Sequence, residues 1–92
     1  MSYCRTTLFE YQTEEYANEL VASYQVNAPS NFPDAEVLIC TRTGPKTALM
    51  TSLYSSKEKA DLAMAARKPI LEEVKAKIKN IHTQEGEAYW LR

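Results

Sequence analysis

The sequence has little of several residue types, and each shortage excludes a class of protein. Its 92 residues include two cysteines, Cys4 and Cys40, which are too far apart for a metal knuckle or a C-x-x-C redox pair. We expect both to be free thiols in a reducing compartment, and we assign the chain to the cytoplasm. No apolar stretch approaches the roughly 20 residues that cross a bilayer, and no secretion signal is visible, so no membrane association is expected.

An excess of charge of one sign is also lacking. The chain has 11 basic and 12 acidic residues, a formal net charge of −1, and lysines mainly at positions 57–79. This distribution contains no basic stripe, so a nucleic-acid partner is not expected. Apolar surface is abundant by contrast, because 45% of the residues are hydrophobic and six are tyrosines. That is more than a lone two-layer domain of this length needs, and it predicts association.

The spacing of apolar residues predicts six elements in the order strand, helix, strand, strand, helix, strand. The expected strands are residues 3–11, 36–42, 47–54 and roughly 83–91, the last with a possible bulge at Gly86. The first helix is capped by Thr13 and ends near Asn27. The second is capped by Ser55, and Pro69 either kinks it or ends it; we favour a break there. Right-handed crossovers then give one α+β domain over residues 1–92, with ferredoxin-like β-α-β-β-α-β topology. Its four antiparallel strands would lie in the order 4-1-3-2, with both helices on one face.

The face of this sheet that carries no helix should not be polar. On the first strand the face with Leu8 alternates with a face that carries Phe9 and Tyr11, and on the third strand the face with Leu49 and Leu53 alternates with one that carries Met50 and Tyr54, so neither face is plainly polar. A sheet with one face in water normally alternates apolar and polar residues cleanly. We therefore expect a second copy of the chain to cover the open face and form a homodimer.

With this topology the chain resembles the dimeric α/β-barrel superfamily, and within it the antibiotic-biosynthesis-monooxygenase-like domains. The likeness covers almost the whole length and rests on four features: the strand Tyr3–Tyr11, the acidic helix start Thr13-Glu14-Glu15, the segment Leu53–Ala60 that leads into a proline-interrupted helix, and the ending Tyr89-Trp90-Leu91. The resemblance implies a dimeric α/β barrel with a pocket between the sheet and the helices of each subunit. It also implies an aromatic or quinol-like ligand, which some members oxygenate with dioxygen and no cofactor.

Other members of the group degrade haem, and this chain departs from their pattern. Those relatives have an asparagine on the first strand, a tryptophan in the second helical region and a histidine ligand near that helix. Here the first strand has Thr6 and Thr7, the only tryptophan is Trp90, and His82 lies past the helix end. We expect neither haem nor another cofactor, and no metal.

Three residues are candidates for catalytic roles. His82 is the only imidazole and the obvious general base, although its position also suits an exposed or capping residue. Arg67 interrupts the apolar stripe of the second helix, so it either holds an anionic oxygen of a ligand or forms an ordinary salt bridge. Tyr54 ends the third strand and offers a hydroxyl for orientation, with plain core packing as the alternative. Arg5, inside an apolar strand, is expected to pair with a carboxylate such as Glu36 or Glu87.

Four further side chains are candidates for the walls of a ligand cavity, with plain core packing as the alternative for each. Tyr16 and Tyr24 share one face of the first helix and combine flat apolar rings with hydroxyl groups. Met50 and Met64 are adaptable apolar groups on the third strand and second helix. The sequence thus predicts a homodimer that binds a small molecule. A narrower hypothesis is a cofactor-independent oxygenase of an aromatic or enolisable substrate. The alternative is a non-catalytic homodimer that binds a metabolite or a protein partner.

Overall fold

The structure of the protein is a computed structural model that describes residues 2–90. In chain order the elements are β1 Tyr3–Tyr11, α1 Glu14–Asn31, β2 Ala35–Gly44, β3 Thr47–Tyr54, α2 Lys57–Val74, a 3-10 turn Lys75–Lys77 and β4 Ile78–Glu87. Within residues 2–90, neither α1 nor α2 contains an apolar segment that is long enough to span a membrane.

The four strands form one antiparallel sheet in the order β2-β3-β1-β4. Strand β1 lies inside the sheet, with Arg5 opposite Ser52 of β3 on one side and opposite Glu85 of β4 on the other. This is the strand order predicted from the sequence, and the ferredoxin-like β-α-β-β-α-β topology is confirmed.

Both helices are longer than their prolines suggested. Helix α1 continues through Pro29 to Asn31, rather than ending near Asn27, and α2 continues through Pro69 rather than breaking there. A proline removes only one helical hydrogen bond, and packing against the sheet on either side of it offsets that cost. In α1 the proline lies in the last turn, where Ala28 is buried and its carbonyl still accepts from the Phe32 N–H at 2.8 Å.

The start of α2 is shifted by one residue from the prediction. Ser56, not Ser55, is the N-cap, and its side chain accepts from the Lys59 N–H at 3.2 Å. Strand β3 ends at Tyr54, so Ser56 is the residue whose extended backbone directly precedes the first helical residue.

The last strand begins five residues earlier than predicted, at Ile78. The 3-10 turn ends the lysine-rich helix and brings Ile78 against Tyr11, where it packs on the core. The irregularity in the β1–β4 pairing also lies at this end, between Glu10 and Tyr11, and not at Gly86. Tyr89 and Trp90 follow the strand, and Leu91 is outside the described residues.

Strict alternation along β1 separates a buried inner face from an open one. The inner-face residues Arg5, Thr7, Phe9 and Tyr11 are all buried beneath the helices. The opposite face leaves apolar groups accessible, with Leu8 42% exposed and Ile39 of β2 49% exposed. The sheet is thus apolar on both faces.

Replacing Ser56 with alanine should lower the free energy of unfolding by about 1 kcal/mol, because the Lys59 N–H loses its acceptor. Urea unfolding followed by circular dichroism measures the change, with Ser55→Ala as the matched control. If Ser55→Ala proved the costlier of the two, the cap would lie where the sequence predicted it.

Candidate functional site

A cavity of about 390 Å³ lies between the inner face of the sheet and the two helices. Its volume is within the roughly 300–1,000 Å³ typical of small-molecule sites. Most of the wall is apolar or aromatic, and it includes Phe9, Tyr11, Leu20, Tyr24, Phe32, Leu38, Met50, Tyr54, Ile70, Leu71, Val74 and Ile78. The wall is therefore suited to a flat, largely apolar body.

The floor of the cavity is built by β1 and β3. The rings of Phe9 and Tyr11, two residues apart on the inner face, are parallel within 5° with centroids 5.9 Å apart. Ala48 and Met50 on β3 lie beside them and are buried. Buried alanines also face the sheet from α1 and α2, at Ala17, Ala28, Ala60 and Ala63. Such small side chains allow the helix backbones to approach the sheet closely.

Arg67 of α2 supplies a cation to this apolar site. Its Nη1 donates to Thr7 Oγ1 at 3.0 Å, and its Nη2 donates to Thr83 Oγ1 at 3.3 Å and to Met64 Sδ at 3.0 Å. Its Nε–H is buried without a hydrogen-bond partner among residues 2–90. Burial, followed by the nearby charge of Arg5, lowers the pKa of Arg67, but an arginine remains cationic at neutral pH.

Arg5 also lines the cavity, and in contrast to Arg67 it has a carboxylate partner. Its Nε donates to Glu85 Oε2 at 2.9 Å, its Nη2 donates to the Ala60 carbonyl at 2.7 Å, and its guanidinium lies 5.7 Å from the Tyr54 ring centroid. The predicted partners Glu36 and Glu87 were wrong. Because β4 begins at Ile78, the register places Glu85 opposite Arg5.

Two tyrosines give the cavity neutral hydroxyl groups. Burial raises the pKa of both Tyr11 and Tyr24 to about 12. Burial likewise raises the pKa of the nearby Cys40 thiol. At neutral pH these groups are protonated, so the two phenols can orient a ligand but are not bases. Glu73 is the one carboxylate among the residues that line the cavity.

The structure brings together four of the seven residues predicted for the site. Arg67, Tyr54, Tyr24 and Met50 all line the cavity. Met64 lies at its margin, where its sulfur contacts the Arg67 guanidinium.

The other two predicted residues lie elsewhere. Tyr16 is 36% exposed near the start of α1, where Lys77 Nζ is 5.5 Å from its ring centroid. His82 pairs with Leu8 on the open face of the sheet. A side chain on that face is on the opposite side of β1 from the cavity, so His82 is not part of this site.

Sequence reasoning missed Phe9, Tyr11 and Glu73 as lining residues, and it predicted a carboxylate partner for Arg5 without placing Arg5 at the cavity. The alternation along the first strand had placed Phe9 and Tyr11 on the same face as Thr7, but these two residues were not proposed as walls of a cavity. Glu73 follows Pro69 in the chain, so the predicted break at Pro69 separated it from Arg67.

Comparison with solved structures gives close matches of fold at low sequence identity. The "putative Antibiotic biosynthesis monooxygenase" from Chloroflexus aurantiacus J-10-fl superposes with a TM-score of 0.77 at 10% identity, over 100% of this chain and 97% of that one. A dimeric ferredoxin-like protein from an uncultured marine organism gives 0.77 at 14% identity, over all of both chains. A protein of unknown function from Nitrosomonas europaea gives 0.84 at 11% identity, over 99% and 92%.

No family model matches the sequence, and no curated protein matches it. The likeness is therefore one of fold: the chain has the architecture of the monooxygenase-like and dimeric ferredoxin-like proteins, which confirms the resemblance inferred from the sequence.

Stability should fall in alkali because of the two cavity tyrosines. The pKa of each tyrosine is about 12 in the folded protein, against the ordinary value of 10.0 in the unfolded chain. Their contribution to the free energy of unfolding is therefore complete below pH 10 and is lost as the pH rises to 12. The free energy of unfolding in urea should decline across this range, and less steeply in the Tyr11→Phe/Tyr24→Phe variant. Equal slopes for the two proteins would contradict the assignment.

Proposed function

We propose that the chain is a homodimer that binds a small molecule in the cavity of each subunit and acts as a cofactor-independent oxygenase of an aromatic or enolisable substrate. The observation that carries the proposal is an apolar cavity whose wall holds a half-buried arginine, Arg67, without a carboxylate partner among residues 2–90. A cation in an apolar wall is costly unless an anion offsets it, and a bound substrate can supply that anion.

The cavity suits the binding step of this reaction. Flat walls such as Phe9 and Tyr24 can contact both sides of an aromatic body, and neutral phenol groups can orient a carbonyl or hydroxyl oxygen. Arg67 is held in place by Thr7 and Thr83, so its charge is positioned before the ligand arrives. A fixed cation of this kind stabilises a developing enolate or phenolate without reorganisation.

The oxygenation itself needs no group that the chain lacks. An activated methylene beside aromatic rings loses a proton to give an enolate, which Arg67 stabilises. Glu73 is the carboxylate in the cavity wall that can accept this proton. The enolate transfers one electron to dioxygen, and the two radicals combine into a peroxide. Proton uptake and loss of one water leave a carbonyl, so that methylene and dioxygen become carbonyl and water. Tyr54, next to Arg5, would help to hold the substrate.

The open sheet face supports the homodimer. Leu8, Val37 and Ile39 are each at least 37% exposed on that face, and a second sheet packed against them would remove this apolar surface from water. Two structures of the same fold, both from uncultured marine organisms, are described as dimeric. In such a dimer each cavity lies on the outer side of the paired sheets.

A non-catalytic homodimer that binds a metabolite or a protein partner is the second candidate function. It is favoured by the absence of an imidazole in the cavity, since His82 lies on the open face. For a metabolite as the bound molecule, the two candidates predict the same ligand site and differ only in turnover.

Oxygen uptake with anthrone, a tricyclic ketone with an activated methylene, tests the oxygenase. The purified protein should consume dioxygen above the spontaneous rate and incorporate one labelled oxygen atom into the product. Arg67→Leu should lower kcat/KM at least tenfold, which corresponds to about 1.4 kcal/mol of lost transition-state stabilisation. Arg42→Leu, which removes an exposed arginine at the β2–β3 turn, is the matched control and should change little.

If the protein bound the compound but consumed dioxygen no faster than the spontaneous reaction, the result would support the non-catalytic homodimer. Loss of activity in Arg42→Leu equal to that in Arg67→Leu would contradict the role assigned to Arg67.

Ile39→Glu should convert the dimer to a monomer, because two copies of the carboxylate would be buried against an apolar sheet. Native mass spectrometry and light scattering measure the subunit number. Val26→Glu, at a 76%-exposed position on α1, is the control and should remain dimeric. A wild-type monomer would remove the basis for the homodimer.

A further inference from the structure

Two arginines and one glutamate meet at one end of the cavity. Arg5 lies opposite Glu85, and Thr7 lies opposite Thr83, in consecutive inner-face pairs of β1 and β4. Arg67 reaches down from α2 onto the second pair. Since a strand advances 3.3–3.4 Å per residue, the two pairs are about 7 Å apart. The three charged groups are close enough to influence one another.

The charges at this end do not cancel. Arg5 is only 4% exposed, and its ion pair with Glu85, at 2.9 Å, is neutral as a unit. Arg67 has no carboxylate within 4 Å in the described part of the chain. Glu73 also lines the cavity, but it is exposed and lies six residues further along α2, about 9 Å away at 1.5 Å per residue. One positive charge therefore remains.

We propose that Glu85 is a specificity-determining residue: by neutralising Arg5 it leaves a single unpaired cation at Arg67, so that the cavity binds flat aromatic monoanions, such as enolates and monocarboxylates, more tightly than neutral and dianionic compounds. The inference rests on the proposed function, because it specifies the class of ligand for the same cavity. Glu85 acts through Arg5 and needs no contact with the ligand.

The hydrogen bonds of the cluster agree with an anionic ligand. Thr7 Oγ1 and Thr83 Oγ1 lie 3.2 Å apart and both accept from Arg67. The two hydroxyl groups have two protons and need only one for the bond between them, so one hydroxyl proton is left to donate. Arg67 also has N–H donors beyond those it uses, including the buried Nε–H. A carboxylate can accept from several donors of this kind at once.

The electrostatic coupling of the three groups points the same way. Arg5 lowers the pKa of Arg67 and Glu85 raises it, after the larger effect of burial. The Arg67 guanidinium therefore senses both the second cation and the carboxylate that pairs with it. Removing Glu85 would leave two unpaired cations beside the cavity, and a second negative charge on a ligand would then find a partner.

Isothermal titration calorimetry with 2-naphthoate, naphthalene-2,3-dicarboxylate and the neutral 2-naphthamide tests the proposal. The wild type should bind 2-naphthoate at least tenfold more tightly than either of the other two. Glu85→Gln should increase the affinity for 2-naphthoate about tenfold, because one negative unit charge about 7 Å from the bound anion is removed. The affinity for the dicarboxylate should increase more, and the affinity for the amide should not change. Glu87→Gln, an exposed change two residues along the same strand, should alter none of them.

A second pair of variants separates charge from folding. Glu85→Gln leaves the buried Arg5 without its carboxylate and can destabilise the fold. In Arg5→Gln, Glu85 has no arginine partner on β1 and acts as the counter-charge to Arg67. The affinity for 2-naphthoate should therefore fall about tenfold. The double variant Arg5→Gln/Glu85→Gln again leaves Arg67 as the single cation, so it should return to the wild-type affinity.

The outcomes distinguish this inference from the proposed function. If the wild type binds both 2-naphthoate and 2-naphthamide in the cavity, but their affinities do not respond to Glu85, the charge selection is overturned and the ligand site stands. If the wild type binds none of the three compounds, the aromatic site fails and the inference fails with it. If Glu87→Gln changed the affinities as much as Glu85→Gln does, the cause would be the net charge of the protein and not the pairing of Glu85 with Arg5.

Discussion

The alternation of side chains along β1 is the constraint on which the rest of the structure depends. This strand lies between β3 and β4, so each of its residues faces either the helices or the open side. Arg5, Thr7 and Phe9 face the helices, and Leu8 faces away. A shift of one residue in the pairing would exchange these sets and destroy both the cavity and the apolar open face. The cavity and the apolar open face are thus on opposite sides of one strand.

The cavity combines apolar walls with polar groups that are satisfied to different degrees. Arg5 has a carboxylate, a carbonyl and the face of Tyr54 around its guanidinium. Arg67 has two hydroxyl groups and a thioether, which neutralise no charge. The two arginines of this layer therefore differ in charge balance: Arg5 is paired with a carboxylate, and the positive charge of Arg67 is not offset by one within 4 Å in residues 2–90. This difference arises from the position of one residue, Glu85, on β4.

The fold tolerates two prolines in its helices because the sheet anchors each helix on both sides of the proline. Buried alanines at Ala60 and Ala63 fix the start of α2, and Leu71 packs on the core beyond Pro69. The continuity of α2 places Arg67 and Glu73 along the same cavity. A helix broken at Pro69 would have separated the cation from the carboxylate proposed as its catalytic partner.

The sequence by itself determined the order of the elements, the strand order and the apolar character of both sheet faces, since these follow from local periodicity and from the handedness of crossovers. It also singled out Arg67, because a charge within an apolar helical stripe is visible without a structure. Only the tertiary structure decided the register of β4, and with it the pairing of Arg5 with Glu85 and the place of His82 on the open face. Pairing register depends on contacts between residues far apart in the chain, and a bulge near Tyr11 shifts it by an amount that no local pattern encodes.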